Sequence, residues 1–285
     1  MRIAVLGATG VAGRALIPQL TGRGHHLRLG FHSARSAVVG AQMCHAAGHE
    51  AMHCDILDPC GVGRFVAGVD AIINLATAIP TPGGSGDWEL NDRVRREGTE
   101  NLLKACSASA VRLVQQSVAM LHCVDDSRIQ HESDAILGYG RVASAAESEK
   151  TVAAAALDWR IVRGAAFYGP GTGREEAMMA TLADPAFRIP GDGSGWISFI
   201  HVEDFATAIC MVVEHPQPRE IYLVADGNPI RLRDLYARLA ASRGVAVPPS
   251  GGSVLLRSFR VGNDKLRAVG WTPVHPAFPI EPAAQ

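Results

Sequence analysis

The chain has 285 residues, 47% of them hydrophobic, and a formal net charge of −1 from 27 basic and 28 acidic side chains. Because the two signs of charge are interspersed, nothing in the sequence favours nucleic acid or a membrane surface as a partner. Six scattered cysteines, no signal-peptide pattern and no apolar run near the ~20 residues of a membrane span predict a cytoplasmic protein without disulfides.

The first predicted element is an apolar strand, residues 2–6, which runs into glycines spaced three residues apart. Gly7 suits the tight turn out of the strand, Gly10 lets the backbone approach a pyrophosphate, and Gly13 lets the following helix pack close to the sheet. The free N–H groups at the start of that helix would face the phosphates. Strand, glycine turn and helix in this order predict a dinucleotide-binding site.

Strands and helices then alternate along the chain. Apolar runs predict further strands at residues 26–31, 50–54, 69–75, 111–117 and 159–163. Helical patterns fall at residues 34–47, 88–108 and 143–156. This alternation predicts an α/β fold with a doubly wound, parallel Rossmann sheet that binds ligands at the carboxyl ends of its strands.

Loops rich in Gly and Pro interrupt this pattern at residues 167–195, and a strand at 221–224 then returns the chain to the sheet. We therefore predict two parts of unequal size. They are a dinucleotide-binding domain of residues 1–165, to which residues 196–226 return, and a small substrate-binding portion of residues 166–195 and 227–285.

Several short segments together resemble the extended short-chain dehydrogenase/reductase superfamily, in its atypical, epimerase/dehydratase-like branch. The matching segments are residues 7–13, 55–58, 74–76, 98–103, 168–171 and 201–206. The resemblance implies that the Asp55 position contacts the adenine, that Leu75 and Ala76 line the cofactor cleft, and that residues 167–195 help to close the substrate pocket. The implied cofactor-binding residues are Gly7, Thr9, Gly10, Val11, Gly13, Asp55, Ile56, Leu75 and Ala76.

The end of the second strand indicates which dinucleotide is bound. A carboxylate there would bind the ribose hydroxyls of NAD, whereas a basic group can accept the 2′-phosphate of NADP. Residues 30–35 contain no acid but include His32 and Arg35. We therefore expect NADP rather than NAD, with Arg35 and His32 as partners of the phosphate.

The catalytic residues depart from the superfamily pattern, in which Ser, Tyr and Lys act together and Lys follows Tyr by four residues. Ser117 matches the serine, Tyr139 resembles the tyrosine, and Ala143 occupies the lysine position. Lys150 lies eleven residues after Tyr139, about 16 Å along a helix, and cannot simply replace it. His122, five residues after Ser117, is a further candidate for proton transfer because imidazole titrates near neutral pH.

Several arginines stand near these positions. Arg95 lies three residues before Gly98, where many relatives carry Asn. With Arg93 and Arg96 it is expected to form a mostly solvated helix face, from which one guanidinium could reach a substrate carboxylate or phosphate. Arg141 or a chain of water molecules could otherwise take the place of the missing lysine.

Histidines and cysteines are dense in one early segment of the chain. The cysteines of this segment lack the short paired spacing of zinc ligands, so no metal site is predicted there. The residues concerned are Cys44, His45, His49, His53, Cys54 and Cys60.

These features favour an NADP-dependent oxidoreductase that reduces a carbonyl group, or a conjugated double bond, of a small hydrophobic or aromatic biosynthetic intermediate. Hydride would come from the nicotinamide, while Ser117 and Tyr139 hold and protonate the developing oxyanion. Three alternatives stay open: an epimerase or dehydratase with transient reduction of the cofactor, a non-redox cyclisation or elimination, and a regulator that binds NADP without turnover. The long helices beside the fourth and fifth strands resemble a four-helix dimer interface, which implies a homodimer.

Overall fold

The computed structural model describes most of the chain, and its residues are organised around one parallel sheet. The described residues are 1–33, 36, 38, 40, 43–44, 48–80, 87–107, 110–123, 127–254 and 258–280. The strands are β1 (Arg2–Leu6), β2 (His26–Phe31), β3 (Glu50–His53), β4 (Ala71–Asn74), β5 (Arg112–Val118), β6 (Asp158–Gly164), β7 (Ala166–Tyr168), β8 (Ile189–Pro190), β9 (Trp196–Ile197), β10 (Phe199–His201), β11 (Glu220–Val224), β12 (Ile230–Arg231) and β13 (Ser250–Gly252).

Seven of the strands in the described residues form the main sheet, in the order β11-β6-β5-β4-β1-β2-β3 and all parallel. The order reverses between β1 and β4, which is where doubly wound folds bind their ligands. Strands such as β1 and β4 are buried on both faces and therefore lack a polar side. The predicted α/β fold is confirmed, with strand ends that differ from the prediction by one or two residues.

Helices cover both faces of the sheet and separate the core into two main apolar clusters. Side-chain caps fix several helix starts: Asp58 and Asp87 each accept two backbone N–H groups, and His201 accepts one. The described part of the predicted second helix, residues 36, 38, 40, 43 and 44, is helical. The fully described helices are α1 (Val11–Gly22), α2 (Pro59–Val66), α3 (Trp88–Cys106), α4 (Ala143–Ala153), α5 (Arg174–Ala183), α6 (Val202–Glu214), α7 (Leu232–Arg243) and α8 (Asp264–Ala268).

The remaining strands form short pairs outside the main sheet: β7 with β10, β9 with β12, and β8 with β13. Of residues 196–226, therefore, β11 joins the main sheet while β9 and β10 pair elsewhere. The C-terminal segment is anchored by buried Asp204, which accepts the backbone N–H groups of Val274 at 2.9 Å and His275 at 2.8 Å. Among the described residues, no helix has the length and apolarity needed to cross a membrane.

Two glycines of the first turn have a conformational or packing reason to be glycine. Gly7 has a φ of +75°, and a Cβ on it would lie 2.7 Å from the carbonyl carbon and oxygen of Leu75. A Cβ on Gly13 would lie 2.4 Å from the carbonyl oxygen of Ala8. The two strand ends and the start of α1 can approach this closely only without these side-chain atoms.

The substitution Gly13→Ala should lower the free energy of unfolding by about 1–3 kcal/mol, because the added methyl group meets backbone that cannot turn away. Gly22→Ala, at the other end of α1, has nothing within 4 Å of its new Cβ and should be neutral or stabilising by up to about 1 kcal/mol. Chemical denaturation of both variants measures the contrast. Equal effects at the two positions would contradict the packing argument.

Candidate functional site

The glycine turn ends at the N-terminus of α1, and a helix start leaves its first backbone N–H groups without partners inside the helix. Gly10 is the N-cap of α1 and offers no side-chain acceptor, while its own N–H donates to the Gly7 carbonyl oxygen at 3.0 Å. The first N–H groups of the helix therefore point toward the crevice, where an anion would satisfy them. A turn with no Cβ at Gly7, Gly10 or Gly13 and with free N–H groups fits the pyrophosphate of a dinucleotide.

The loop after β3 is fixed by its own turn and by α3. Asp55 accepts a hydrogen bond from the Leu57 N–H at 2.9 Å. Ile56 is buried against Gly98, where a Cβ would lie 2.9 Å from an Ile56 methyl carbon. Asn101 also donates to the Ile56 carbonyl oxygen at 3.1 Å. The Asp55 and Ile56 positions expected beside an adenine are therefore held in place by α3.

The end of β2 is only partly described. His32 is exposed directly after β2, and in the following turn the side chains of Ser33 and Ser36 each accept the backbone N–H of the other residue. Arg35, the predicted partner of a 2′-phosphate, lies outside the described residues.

The ends of β4 and β5 are joined by side-chain amides. The Leu75 N–H donates to the Leu6 carbonyl oxygen at 3.0 Å, and the Ala76 N–H donates to Asn74 Oδ1 at 3.1 Å. Asn74 in turn donates to Gln115 Oε1 at 2.9 Å. The cleft wall formed by Leu75 and Ala76 is thus tied to both neighbouring strands.

A small cavity lies beside this wall, and we call it the Ser117 cavity. Ser117 is 3% exposed, and its Oγ has no hydrogen-bond partner among the described residues. The same holds for Gln116 Oε1. The enclosed space is about 10 Å³, room for about one water molecule. Its lining residues are Ala76, Thr77, Arg95, Gln115, Gln116, Ser117, Ala145, Ser148 and Glu149.

The expectation that Arg95 lies on a solvated helix face is wrong. Arg93 and Arg96 are exposed and pair with Glu97 and Glu147, as expected of such a face. Arg95, on the same helix, is only 8% exposed and lines the Ser117 cavity. The difference follows from the packing of α4 against α3, which covers one side of the helix and leaves the other in water.

A buried ion pair stands next to the cavity, and the sequence analysis missed it. Arg163 on β6 donates to both carboxylate oxygens of Glu149 on α4, at 2.6 to 3.1 Å. A fourth bond joins Arg163 to His122 Nε2 at 2.8 Å. The available signal was a charged residue inside an apolar strand, because such a residue requires a partner when it is buried.

His122 is fully buried in this cluster. Since a guanidinium can only donate, His122 Nε2 accepts, which makes the ring neutral with its proton on Nδ1. Burial, reinforced by the Arg163 charge, lowers the pKa of His122 from 6.5 to about 4. A neutral, enclosed imidazole is suited to orienting Arg163, and it lies away from the solvent that a proton-transfer group would exchange with.

Tyr139 occupies a different position from Ser117. Its side chain is 53% exposed, in front of a short 3-10 helix (Gly140–Val142), and it is not among the residues that line the Ser117 cavity. Arg141 lies over the Trp88 ring, 5.1 Å from its centroid. Ala143 is the first residue of α4, and Lys150 is exposed further along that helix.

One group of metal-ligand type occurs among the described residues, formed by His201, Glu203 and His275, with ligand atoms within 4.8 Å of one another. Structural contacts account for the two histidines. His201 Nδ1 caps α6 by accepting the Glu203 N–H at 3.3 Å, and His275 Nδ1 lies 3.2 Å from Asp204. We assign no metal to this group.

Comparison with known proteins identifies the fold and the family. The sequence matches the NAD dependent epimerase/dehydratase family over residues 3–225. The chain belongs to this family. A dTDP-glucose 4,6-dehydratase of Streptomyces venezuelae, solved with NAD bound, has the same fold, with a TM-score of 0.80 at 22% identity over 96% of this chain and 92% of that one.

Proteins similar to this chain in sequence include reductases. A 3-diazoavenalumate denitrifying reductase of a Streptomyces species is 28% identical over 98% of each chain. A 2-alkyl-3-oxoalkanoate reductase of Stenotrophomonas maltophilia is 28% identical over 86% of this chain and 76% of that protein. Family and relatives together make this chain an enzyme of the NAD(P)-dependent oxidoreductase type.

The pKa of His122 predicts a stability change in acid. The unfolded chain binds a proton at this side chain below pH 6.5, but the folded chain does so only near pH 4, so the free energy of unfolding should fall as the pH is lowered across that window. His122→Gln should show a weaker fall, because it removes the titrating group. Denaturant unfolding across this range measures both, and parallel curves would contradict the buried neutral imidazole.

Proposed function

We propose that this enzyme is an NADP-dependent reductase of a carbonyl group, or of a double bond conjugated to one, in a small molecule. The observation that carries the proposal is the Ser117 hydroxyl, which is buried at the carboxyl end of β5 without a partner among the described residues. A buried hydroxyl without a partner is costly unless a ligand supplies the missing hydrogen bond. The relatives named as reductases support the direction of the reaction.

The glycine turn and the first N–H groups of α1 would hold the pyrophosphate, and Asp55 with Ile56 would contact the adenine. When bound, the nicotinamide supplies hydride to the substrate. Ser117 Oγ donates a hydrogen bond to the substrate oxygen as negative charge develops on it, which stabilises the transition state more than the ground state.

Tyr139 remains the proposed proton donor, from an exposed position at the start of the turn that leads into α4. Ala143 stands where the usual arrangement has the lysine, so that position supplies no ammonium group. His122 is proposed to act indirectly, by orienting Arg163. An epimerase or dehydratase would normally need the activated tyrosine as well, so the missing lysine gives those alternatives no advantage.

The names of the two reductases support a carboxylate-containing substrate, since both denote carboxylates. A compact hydrophobic or aromatic acid of biosynthetic origin is therefore the proposed class. We also propose a homodimer through α3 and α4, which carry exposed outer faces. A cytoplasmic location is supported by six cysteines that are all free thiols.

The substitution Ser117→Ala should lower kcat about 100-fold or more, because it removes a donor to the developing oxyanion, and should leave the dissociation constant for NADPH unchanged. The assay follows NADPH oxidation with a panel of oxo acids, their methyl esters and aromatic ketones. Ser107→Ala, exposed at the end of α3, is the matched control and should retain activity. Substrate conversion without net NADPH oxidation would instead support the epimerase or non-redox alternatives, and cofactor binding without any turnover would support a regulator.

The proposed preference for NADP over NAD gives a separate prediction. Arg35→Ala should weaken NADPH binding about tenfold or more, since it removes a charge-assisted contact to the 2′-phosphate, and should leave NADH binding unchanged. Nicotinamide fluorescence titrations measure both constants. Arg64→Ala, an exposed arginine on α2, is the control that should alter neither. An equal loss for both dinucleotides would contradict the assignment of Arg35.

A further inference from the structure

Arg95 is a buried cation with no direct partner in the described part of the chain. Its Nε makes no hydrogen bond there, and the charged groups acting on its guanidinium are Asp92, one turn earlier on α3, and Glu149 on α4. Burial lowers the pKa of Arg95, which shows how much solvation this side chain has lost. A guanidinium nevertheless stays protonated in proteins, so a full positive charge is buried here.

The acids near Arg95 are already engaged by other cations. Glu149 takes three hydrogen bonds from Arg163, and Asp92 faces Arg96 at 3.8 Å near the surface. His122, on the other side of Arg163, is neutral as described above. The interior around the Ser117 cavity therefore holds two guanidinium groups and one carboxylate, an excess of one positive charge.

The cavity next to this charge has a matching set of polar atoms. Ser117 Oγ has no partner among the described residues, and Arg95 supplies further N–H donors from α3. The enclosed space takes about one water-sized group, so it would admit a single oxygen at the end of a ligand rather than a sugar ring. The carboxylate of an oxo acid would satisfy Arg95 and neutralise the excess charge, while the carbonyl oxygen of the same acid accepts from Ser117.

We propose that Arg95 binds the carboxylate of an anionic substrate at the Ser117 cavity. The inference rests on the proposed function, since it names which substrates this site selects. Arg95 then acts as a specificity-determining residue: it would favour oxo acids over their uncharged esters. The cofactor pyrophosphate is a less suitable occupant, because the glycine turn at α1 already offers it free N–H groups.

Equilibrium binding to the protein saturated with NADP⁺ tests the inference without turnover. The probes are 3-oxooctanoate and cinnamate, each compared with its methyl ester by isothermal titration calorimetry. In the native protein we expect at least one acid to bind about tenfold or more tightly than its ester. Arg95→Gln should abolish that difference with little effect on ester binding, and Arg95→Lys should retain part of it.

Two control variants separate binding from folding. Arg93→Gln, on the exposed side of the same helix, should keep the preference for acids. Arg95→Gln should leave the thermal midpoint unchanged or raise it, because it removes a buried charge without a partner, whereas Arg163→Gln should lower it by leaving Glu149 unpaired.

Three results would overturn the inference. The first is that the native protein binds acid and ester equally, or binds neither. The second is that Arg95→Gln weakens binding of acid and ester equally, which would mean that Arg95 acts on the carbonyl oxygen. The third is that Arg95→Gln loses affinity for NADP⁺, which would assign the guanidinium to a cofactor phosphate. The proposed function is judged separately. If the protein reduces the esters and shows no preference for acids, the reductase activity is supported and the role of Arg95 is rejected. If acid binding depends on Arg95 but no NADPH is oxidised, the role of Arg95 is supported and the reductase activity is rejected.

Discussion

The close approach of two parallel strand ends organises this molecule. Gly7, where β1 ends, lies so near the Leu75 backbone after β4 that a single additional carbon would not fit. This contact occurs where the strand order reverses, so it brings together the glycine turn, the wall after β4 and the start of α1. The crevice that receives ligands exists because these backbones can touch.

Charge is distributed unevenly around that crevice. Ala143, the predicted counterpart of the superfamily lysine, stands at the start of α4, while the neighbouring helix α3 carries Arg95 into the interior. Arg163 and Glu149 neutralise each other through a bidentate pair, and His122 accepts from the same guanidinium. Burying charge in this way is costly to folding, and such costs are common where a site must bind a charged ligand.

The fold was predictable from the sequence because its signals are local. Apolar strands, the glycine turn and the helical periodicities each lie within a short stretch, and the resulting α/β sheet was found with small errors at the strand ends. Ser117 could likewise be chosen as a candidate from its place at the end of an apolar strand. Its burial without a partner could be seen only in three dimensions.

The buried charged residues could not be predicted from the sequence in the same way. Arg95 lies among charged residues, Asp92, Arg93, Arg96 and Glu97, which is the usual pattern of a solvated helix face. Its burial depends on α4, some fifty residues later in the chain. Arg163 gave a clearer signal, since a charge in an apolar strand requires a partner, but the sequence does not say that the partner is Glu149.

One feature of α3 links the two ends of the crevice. Gly98 lets the helix rest directly on Ile56 in the loop expected beside the adenine, and Arg95 lies less than one turn away on the same helix. A larger residue at position 98 would push the helix outward and carry the guanidinium with it. In evolutionary terms, and on the proposed role of Arg95, substrate choice would then drift through a substitution at a packing position, with every residue that lines the cavity left intact.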